Sequence, residues 1–181
     1  MEADQERMDE RMARDFWEAA RWPGGQPRCP HCGWQERCYR LTPQPGSRTR
    51  EGLWRCGGCR KQFTVTVRTV LEGGKLPLRV WVRLIELLCS RAAGWTVREL
   101  SEALRISYMS AWMLSDRIRY ALNQEPFSGT DVMRWRVEGR ASFYPLSEQK
   151  AAAMLLAVVP ERKHPLASAR QLARLARRRS G

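Results

Sequence analysis

Four of the six cysteines in this 181-residue chain fall into two Cys-x-x-Cys pairs. A thioredoxin-like redox site needs a single pair at the start of a helix in a βαβ unit. Here there are two pairs: glycine follows the first, and two glycines lie between the cysteines of the second. Two such pairs flanked by short β-prone segments are instead typical of a four-cysteine zinc ribbon. The spacing therefore predicts one structural Zn²⁺ held by four thiolates, from Cys29, Cys32, Cys56 and Cys59.

Four thiolates leave no open coordination position, so the metal is expected to stabilise a small fold and not to catalyse. His31 lies inside the first pair and is a conceivable ligand, but a solvent-facing position is favoured because the thiolates already complete the shell. Cys38 and Cys89 are interpreted as small hydrophobic residues, the first in a strand and the second in an apolar helix.

Three β-prone segments surround the cysteine pairs and would position them. Residues 35–41 and 52–56 read as strands joined by a Pro/Gly/Ser loop, and residues 61–67 alternate with Val and Thr as a third strand. We expect a three-stranded zinc ribbon over residues 23–72.

Residues 73–125 follow as a helical block. One helix is predicted to begin near Leu78 and to end at Gly94, with an apolar surface broad enough for burial on two sides. A second helix would begin after a Thr96–Glu99 capping box, and a third would be capped by Ser107. Two helices joined by a tight turn predict a helix-turn-helix. A helical hairpin that binds nothing is the alternative.

If the motif binds DNA, the last helix would lie in the major groove with its first outward residues at base edges. The expected base-reading residues are Tyr108, Met109, Ser110 and Met113. The expected phosphate-contacting residues are Arg117 and Arg119, with Arg60 and Lys61 on the ribbon.

The charge of the chain supports a polyanionic partner. It carries 32 Lys+Arg against 19 Asp+Glu, a formal charge of +13 and a pI near 10.4. Double-stranded DNA is the first candidate. No apolar run is long enough to span a bilayer, and the acidic N-terminus is unlike a secretory leader, so we expect a cytoplasmic, nucleoid-associated protein without membrane contact.

The acidic residues 1–22 are predicted to form a helix. Met8, Met12, Phe16 and Ala20 recur every four positions and would cover apolar surface of the ribbon or of the first helix after it. A contact with a second protein, or with a second copy of the chain, is the alternative use of this helix.

Several segments together carry a family resemblance: "RCPHCG", "CRKQF", "KLPLRVW" and "ISYMSAW". From about Asp15 to Leu122 the chain resembles the N-terminal half of zinc-ribbon insertion-sequence DDE transposases, which are related to the Merlin elements. The resemblance implies binding to the element's terminal repeats. One departure is Arg68, where the family usually has glycine.

The resemblance does not extend to the catalytic half. That half would need acidic residues, in a pattern like V-E-x-D-E, to hold two divalent metals. The corresponding stretch here reads "DVMRWRVEGR", in which Asp131 and Glu138 are out of that pattern and arginines dominate. We therefore expect no catalytic residue and no enzyme activity.

Residues 126–181 are expected to be a basic remnant of a ribonuclease-H-like domain. Residues 131–138 alternate like a strand, residues 151–159 fit a helix or a strand with the resemblance favouring a strand, and residues 166–181 fit a basic helix. The predicted fold class is a small α+β protein: a three-stranded zinc ribbon, a helix-turn-helix domain and a short C-terminal hairpin and helix.

The sequence thus predicts a non-catalytic, zinc-dependent DNA-binding protein derived from an insertion-sequence transposase, acting as a transcriptional or nucleoid regulator. Two alternatives stay open: a truncated transposase subunit that binds terminal repeats, and a ribbon module that contacts RNA polymerase or another protein.

Overall fold

A computed structural model describes residues 9–46, 49–128, 140–144 and 146–159. Five helices and three strands make up this part of the chain, which confirms a small α+β fold with a three-stranded antiparallel sheet of order β1-β2-β3. The helices are α1 (Glu10–Arg21), α2 (Leu78–Ser90), α3 (Val97–Ala103), α4 (Tyr108–Leu122) and α5 (Glu148–Ala157). The strands are β1 (Cys38–Arg40), β2 (Trp54–Cys56) and β3 (Gln62–Phe63).

The third strand is much shorter than the sequence suggests. It ends at Phe63, and the Val- and Thr-rich residues 64–67 leave the sheet, so the prediction of a strand to residue 67 was wrong. The carbonyls of Thr64, Val65 and Val67 accept hydrogen bonds from the guanidinium of Arg21 on α1 instead of from a neighbouring strand. The Arg21 side chain thus supplies the hydrogen bonds that a neighbouring strand would supply to a longer β3.

Helix α1 packs against both α2 and α5. Its fully buried residues are Ala13 and Trp17, whereas Met12 is 54% exposed. The prediction that Met12 is on the buried face was therefore wrong, because the next residue, Ala13, is buried instead. Phe16 and Ala20 do pack against the core, as predicted. Met8 lies outside the described residues. The helix covers α2, as one of the sequence interpretations expected.

Helix α2 is the centre of the core, with Trp81, Leu84, Ile85 and Leu88 almost fully buried. It ends at Ser90, four residues before the predicted end at Gly94. Its last carbonyls are satisfied from outside the helix: the Phe143 backbone N–H donates to Leu88 O at 2.7 Å, and the Trp95 indole donates to Leu87 O. These donors take the place of a further helical turn.

Residues 148–157 form helix α5, so the preference for a strand in residues 151–159 was wrong. Ser147 caps the helix by accepting from the Lys150 N–H. Ala151, Ala152 and Leu155 are fully buried, and the two alanines let α5 approach its neighbours α1 and α2 closely. The expected strand at 131–138 and the basic helix at 166–181 lie outside the described residues.

No helix in the described ranges is long and apolar enough to cross a membrane.

Candidate metal centre and nucleic-acid interface

The four predicted cysteine sulfurs converge on one point. Their Sγ atoms all lie within 4.8 Å of one another. The Cys29–Cys59 and Cys32–Cys56 Sγ–Sγ distances are 3.7 and 3.6 Å. Tetrahedral zinc with Zn–S bonds of about 2.3 Å separates its sulfur ligands by about 3.8 Å. The site therefore fits one structural zinc ion, with all four protein ligands supplied by cysteine.

Each cysteine pair is followed by a residue in the left-handed region of backbone space. Gly33 follows Cys32 with φ +78°, and Arg60 follows Cys59 with φ +61°. In the second pair, Gly57 approaches β1 so closely that its N–H lies 2.6 Å from the Arg37 carbonyl. A Cβ at Gly57 would lie 2.9 Å from that same oxygen, so a side chain does not fit there.

The surroundings bias the protonation of two ligands in opposite directions. Burial raises the pKa of the Cys29 thiol. Burial acts in the same sense at Cys56, but backbone N–H donors from Cys59 and Gly58 and the neighbouring thiols outweigh it and lower the pKa of Cys56. Binding of a cation that needs thiolates therefore competes with protons at this centre.

His31, Cys38 and Cys89 are not members of the sulfur cluster. The His31 Nε2 lies 3.2 Å from the Gln62 carbonyl, so this half-buried ring joins the first cysteine pair to β3 instead of facing solvent as expected. Burial raises the pKa of Cys38 to about 11 and that of Cys89 to about 11. Both stay neutral thiols near pH 7, in agreement with their interpretation as small hydrophobic residues.

Helices α3 and α4 pack against each other across a four-residue turn, residues 104–107. The predicted Thr96–Glu99 capping box is present, and hydrogen bonds from Thr96 and Arg91 lower the pKa of Glu99 to about 2. Ser107 caps α4 as predicted. The turn is fixed by the Ser101 hydroxyl, which donates to the Ile106 carbonyl at 2.8 Å.

The start of α4 presents its side chains to solvent. Tyr108 and Met109 are 58% and 51% exposed, while Ser110 and Met113 are half-buried. The Ser110 hydroxyl lies 2.9 Å from that of Ser107. Arg119, further along the helix, is exposed. On the ribbon, Arg60 and Lys61 are both exposed directly after the second cysteine pair.

Arg117 was expected to reach a phosphate, and the structure contradicts this. Its side chain is buried, with 6% of the residue exposed, and NH1 donates to the carbonyls of Val70 and Glu72 at 2.7 and 2.8 Å. Burial lowers its pKa. Arg117 therefore holds the segment between the ribbon and the helices and is not a surface contact.

Arg105 is an exposed residue that the sequence interpretation missed. It lies in the turn immediately before α4 with φ +52°, a conformation that costs a residue with a Cβ roughly 1–2 kcal/mol.

Arg68 also has a left-handed backbone, with φ +57°, and its NH1 donates to the Pro30 carbonyl at 2.8 Å. Glycine is usual at this position in the family that the chain resembles. That preference was the feature of the sequence that could have predicted the left-handed turn.

Comparison with known protein families shows that residues 8–62 fit the model of a transposase zinc-ribbon domain. The matched region contains α1, β1, β2 and all four cysteines. Neither the curated proteins nor the solved structures give a significant match. The match begins before α1, so the family model covers this helix together with the cysteine pairs.

Proposed function

We propose that this chain is a zinc-stabilised protein that binds double-stranded DNA through the α3–α4 pair, used as a helix-turn-helix, and does not itself cut it. The observation that carries the proposal is the exposed first turn of α4, where Tyr108 and Met109 project from a helix capped by Ser107. In helix-turn-helix proteins this part of the second helix reaches base edges in the major groove.

Different residues in and next to α4 are proposed to supply sequence selectivity and binding affinity. Tyr108, Met109, Ser110 and Met113 are the residues proposed to read base edges. Arg105 and Arg119, both exposed, are proposed to contact phosphates next to them. Phosphate contacts fix the register and supply salt-dependent affinity, while base-edge contacts supply sequence preference.

The ribbon is proposed to extend this surface as a rigid neighbour. Arg21 from α1 and Arg117 from α4 hold the connecting segment at residues 64–72 from two sides. Arg60 and Lys61 then add exposed positive charge from the ribbon. The match to a transposase zinc-ribbon domain supports nucleic-acid binding by this part.

Absence of catalysis is proposed from the sequence alone, since arginines occupy the stretch where carboxylates would bind divalent metals. Within this proposal the chain acts as a transcriptional or nucleoid regulator in the cytoplasm.

A transposase subunit that binds terminal repeats is a second candidate, favoured by the ribbon match at residues 8–62. It differs in one measurable respect. Mg²⁺-dependent nicking of repeat DNA, by the chain alone or with a partner subunit, would support it, and duplex binding without metal-dependent cleavage would support the regulator.

Selection of bound duplexes from a random library tests the proposed reading residues. The zinc-loaded chain should enrich one sequence motif, and Ser110→Ala or Met113→Ala should change that motif. Arg119→Ala, at an exposed position on the same helix, should weaken binding to all duplexes and leave the motif unchanged. Enrichment of the same motif by the Ser110 and Met113 variants would contradict the assignment of α4.

A further inference from the structure

The ribbon sheet has two faces of different character. Cross-strand partners share a face, and successive residues alternate between faces. Arg40, Trp54 and Phe63 form one cross-strand row, and Tyr39, Arg55 and Gln62 form the next. The first row therefore points to one side of the sheet and the second row to the other.

Helix α1 and the residue after it cover the first face. Trp22 packs edge-on against the rings of Trp54 and Phe63, with centroids 6.0 and 6.1 Å apart. Glu18 accepts from the Trp54 indole at 3.1 Å and forms an ion pair with Arg40. The arginine of this inner face is thus paired with a carboxylate of α1, although its own side chain is 42% exposed.

The outer face has neither a cover nor a counter-charge in the described part of the chain. Tyr39 is 49% exposed, Gln62 is exposed and Arg55 is half-exposed. Among the ion pairs of the described residues, none involves Arg55 or Arg37. The same sheet therefore pairs the arginine on its covered face and leaves the arginine on its open face available.

Two further exposed side chains lie beside the second cysteine pair, next to the end of β2. Arg37 lies over Gly57, and the Trp34 ring lies 3.4 Å from the position of a Cβ on Gly58. Trp34 is 46% exposed. We call the five residues Trp34, Arg37, Tyr39, Arg55 and Gln62 the outer platform.

The chemistry of the outer platform matches unpaired nucleotides. Exposed aromatic rings stack on base faces, which a duplex hides inside its own stack, and guanidinium groups bind the phosphates between bases. A glutamine side chain offers both a donor and an acceptor to a base edge. The five side chains carry no carboxylate, although the exposed Glu36 lies beside Arg37 in the chain.

We propose that the outer platform binds single-stranded DNA by stacking bases on Tyr39 and Trp34 while Arg37 and Arg55 contact phosphates. This proposal rests on the proposed function because both assume that the ligand is a nucleic acid. It differs in assigning single-stranded DNA to a second surface, distinct from the duplex-binding surface of α4.

The test measures the affinity of the zinc-loaded full chain for labelled oligothymidylate of about 12 nucleotides and for a hairpin duplex, by fluorescence anisotropy. Tyr39→Ala should weaken binding of the single strand about ten-fold, because one base loses the ring on which it stacks. Tyr39→Phe should keep the affinity. Duplex affinity should change less than about two-fold in both variants, since α4 and not the platform binds duplex.

Arg55→Gln provides a second measurement that does not depend on the tyrosine. The dependence of log affinity on log salt for oligothymidylate should become shallower by about 0.7, the contribution of one phosphate contact on a single strand. Zinc content, measured for every variant, confirms that the ribbon is intact in each comparison.

Unchanged oligothymidylate affinity in Tyr39→Ala, or an equal loss for single strand and duplex, would overturn the proposal. Tight binding of oligouridylate without binding of oligothymidylate would assign the platform to RNA and also overturn it. A different result would contradict the proposal that α4 binds duplex DNA. In that case Met109→Ala would leave the duplex affinity unchanged, independently of the affinity for oligothymidylate.

Discussion

Two buried arginines hold the irregular segment that joins the ribbon to the helices. Burial lowers the pKa of Arg21 to about 10, with Glu72 acting in the opposite sense, and burial also lowers the pKa of Arg117. Arg21 therefore stays charged near pH 7, and the NH1 group of Arg117 is committed to two backbone carbonyls. Their donors replace the secondary structure that residues 64–72 lack.

Arg117→Ala should lower the free energy of unfolding by about 1–3 kcal/mol, because it leaves the carbonyls of Val70 and Glu72 without their donor. Urea denaturation measures this. Arg119→Ala, at an exposed position two residues along the same helix, should lower stability less than Arg117→Ala. An Arg117→Ala protein as stable as wild type but deficient in DNA binding would restore the surface role that the structure contradicts.

Arg68 combines a left-handed backbone with a hydrogen bond to Pro30 O in the first cysteine pair. Arg68→Gly should relieve the backbone and lose the bond, whereas Arg68→Ala should lose the bond and keep the strain. Thermal unfolding should therefore show the glycine variant to be more stable than the alanine variant by about 1 kcal/mol. Equal stability of the two variants would show that this turn stores no strain.

At the scale of elements, two acidic residues of α1, Glu10 and Glu18, bind neighbouring elements of the protein. Helix α2 begins after Pro77, which has no side chain able to cap it. Glu10 takes over this role from α1 by accepting from the N–H groups of Leu78 and Arg79 at 2.7 and 3.3 Å. Glu18 binds the ribbon sheet from the other end of the same helix. Helix α1 thus joins the ribbon to α2.

Glu10→Ala should cost about 0.5–2 kcal/mol of stability, the usual range for loss of a helix cap. Asp15→Ala removes an exposed carboxylate from the same helix and serves as the matched control, with an expected change below about 0.5 kcal/mol. Chemical denaturation of both variants compares them. Similar small effects would mean that α2 does not depend on the cap from α1.

Local signals explain which elements the sequence revealed. Cysteine spacing and the caps at Thr96 and Ser107 act over a few residues, and all of them recur in the structure. The end of β3 depends on Arg21, 43 residues from Thr64, and the burial of Arg117 depends on carbonyls 45 and 47 residues away. The run at 151–157 has no clear period, and packing on α1 and α2 favours the helix over a strand.

At the scale of the whole molecule, zinc stabilises the domain that carries α1, and α1 in turn covers α2. Cys56→Ser should lose zinc and weaken the near-ultraviolet circular dichroism of the packed Trp22, Trp54 and Phe63 rings. Cys89→Ser, outside the sulfur cluster, should retain both. An unchanged spectrum after complete chelation of zinc would contradict a structural role for the metal.

Acidification should release the zinc, because the bound ion requires thiolates and each ligand sulfur is lost to a proton as the pH falls. The direction follows from the chemistry of the site: stability supplied by zinc is present at neutral pH and disappears on the acid side. Zinc release followed with a colorimetric chelator measures the midpoint. Zinc retained more tightly at low pH than at neutral pH would exclude a thiolate site.

Binding of the zinc-loaded chain to a duplex, measured between about 50 and 200 mM salt, tests the central claim most directly. A helix-turn-helix surface that contacts several phosphates through Arg105, Arg119 and the ribbon predicts that affinity falls at least about ten-fold over this range, with a log–log slope of about −0.9 per phosphate contact. No duplex binding, or binding that does not weaken as salt rises, would contradict the claim that this protein binds DNA.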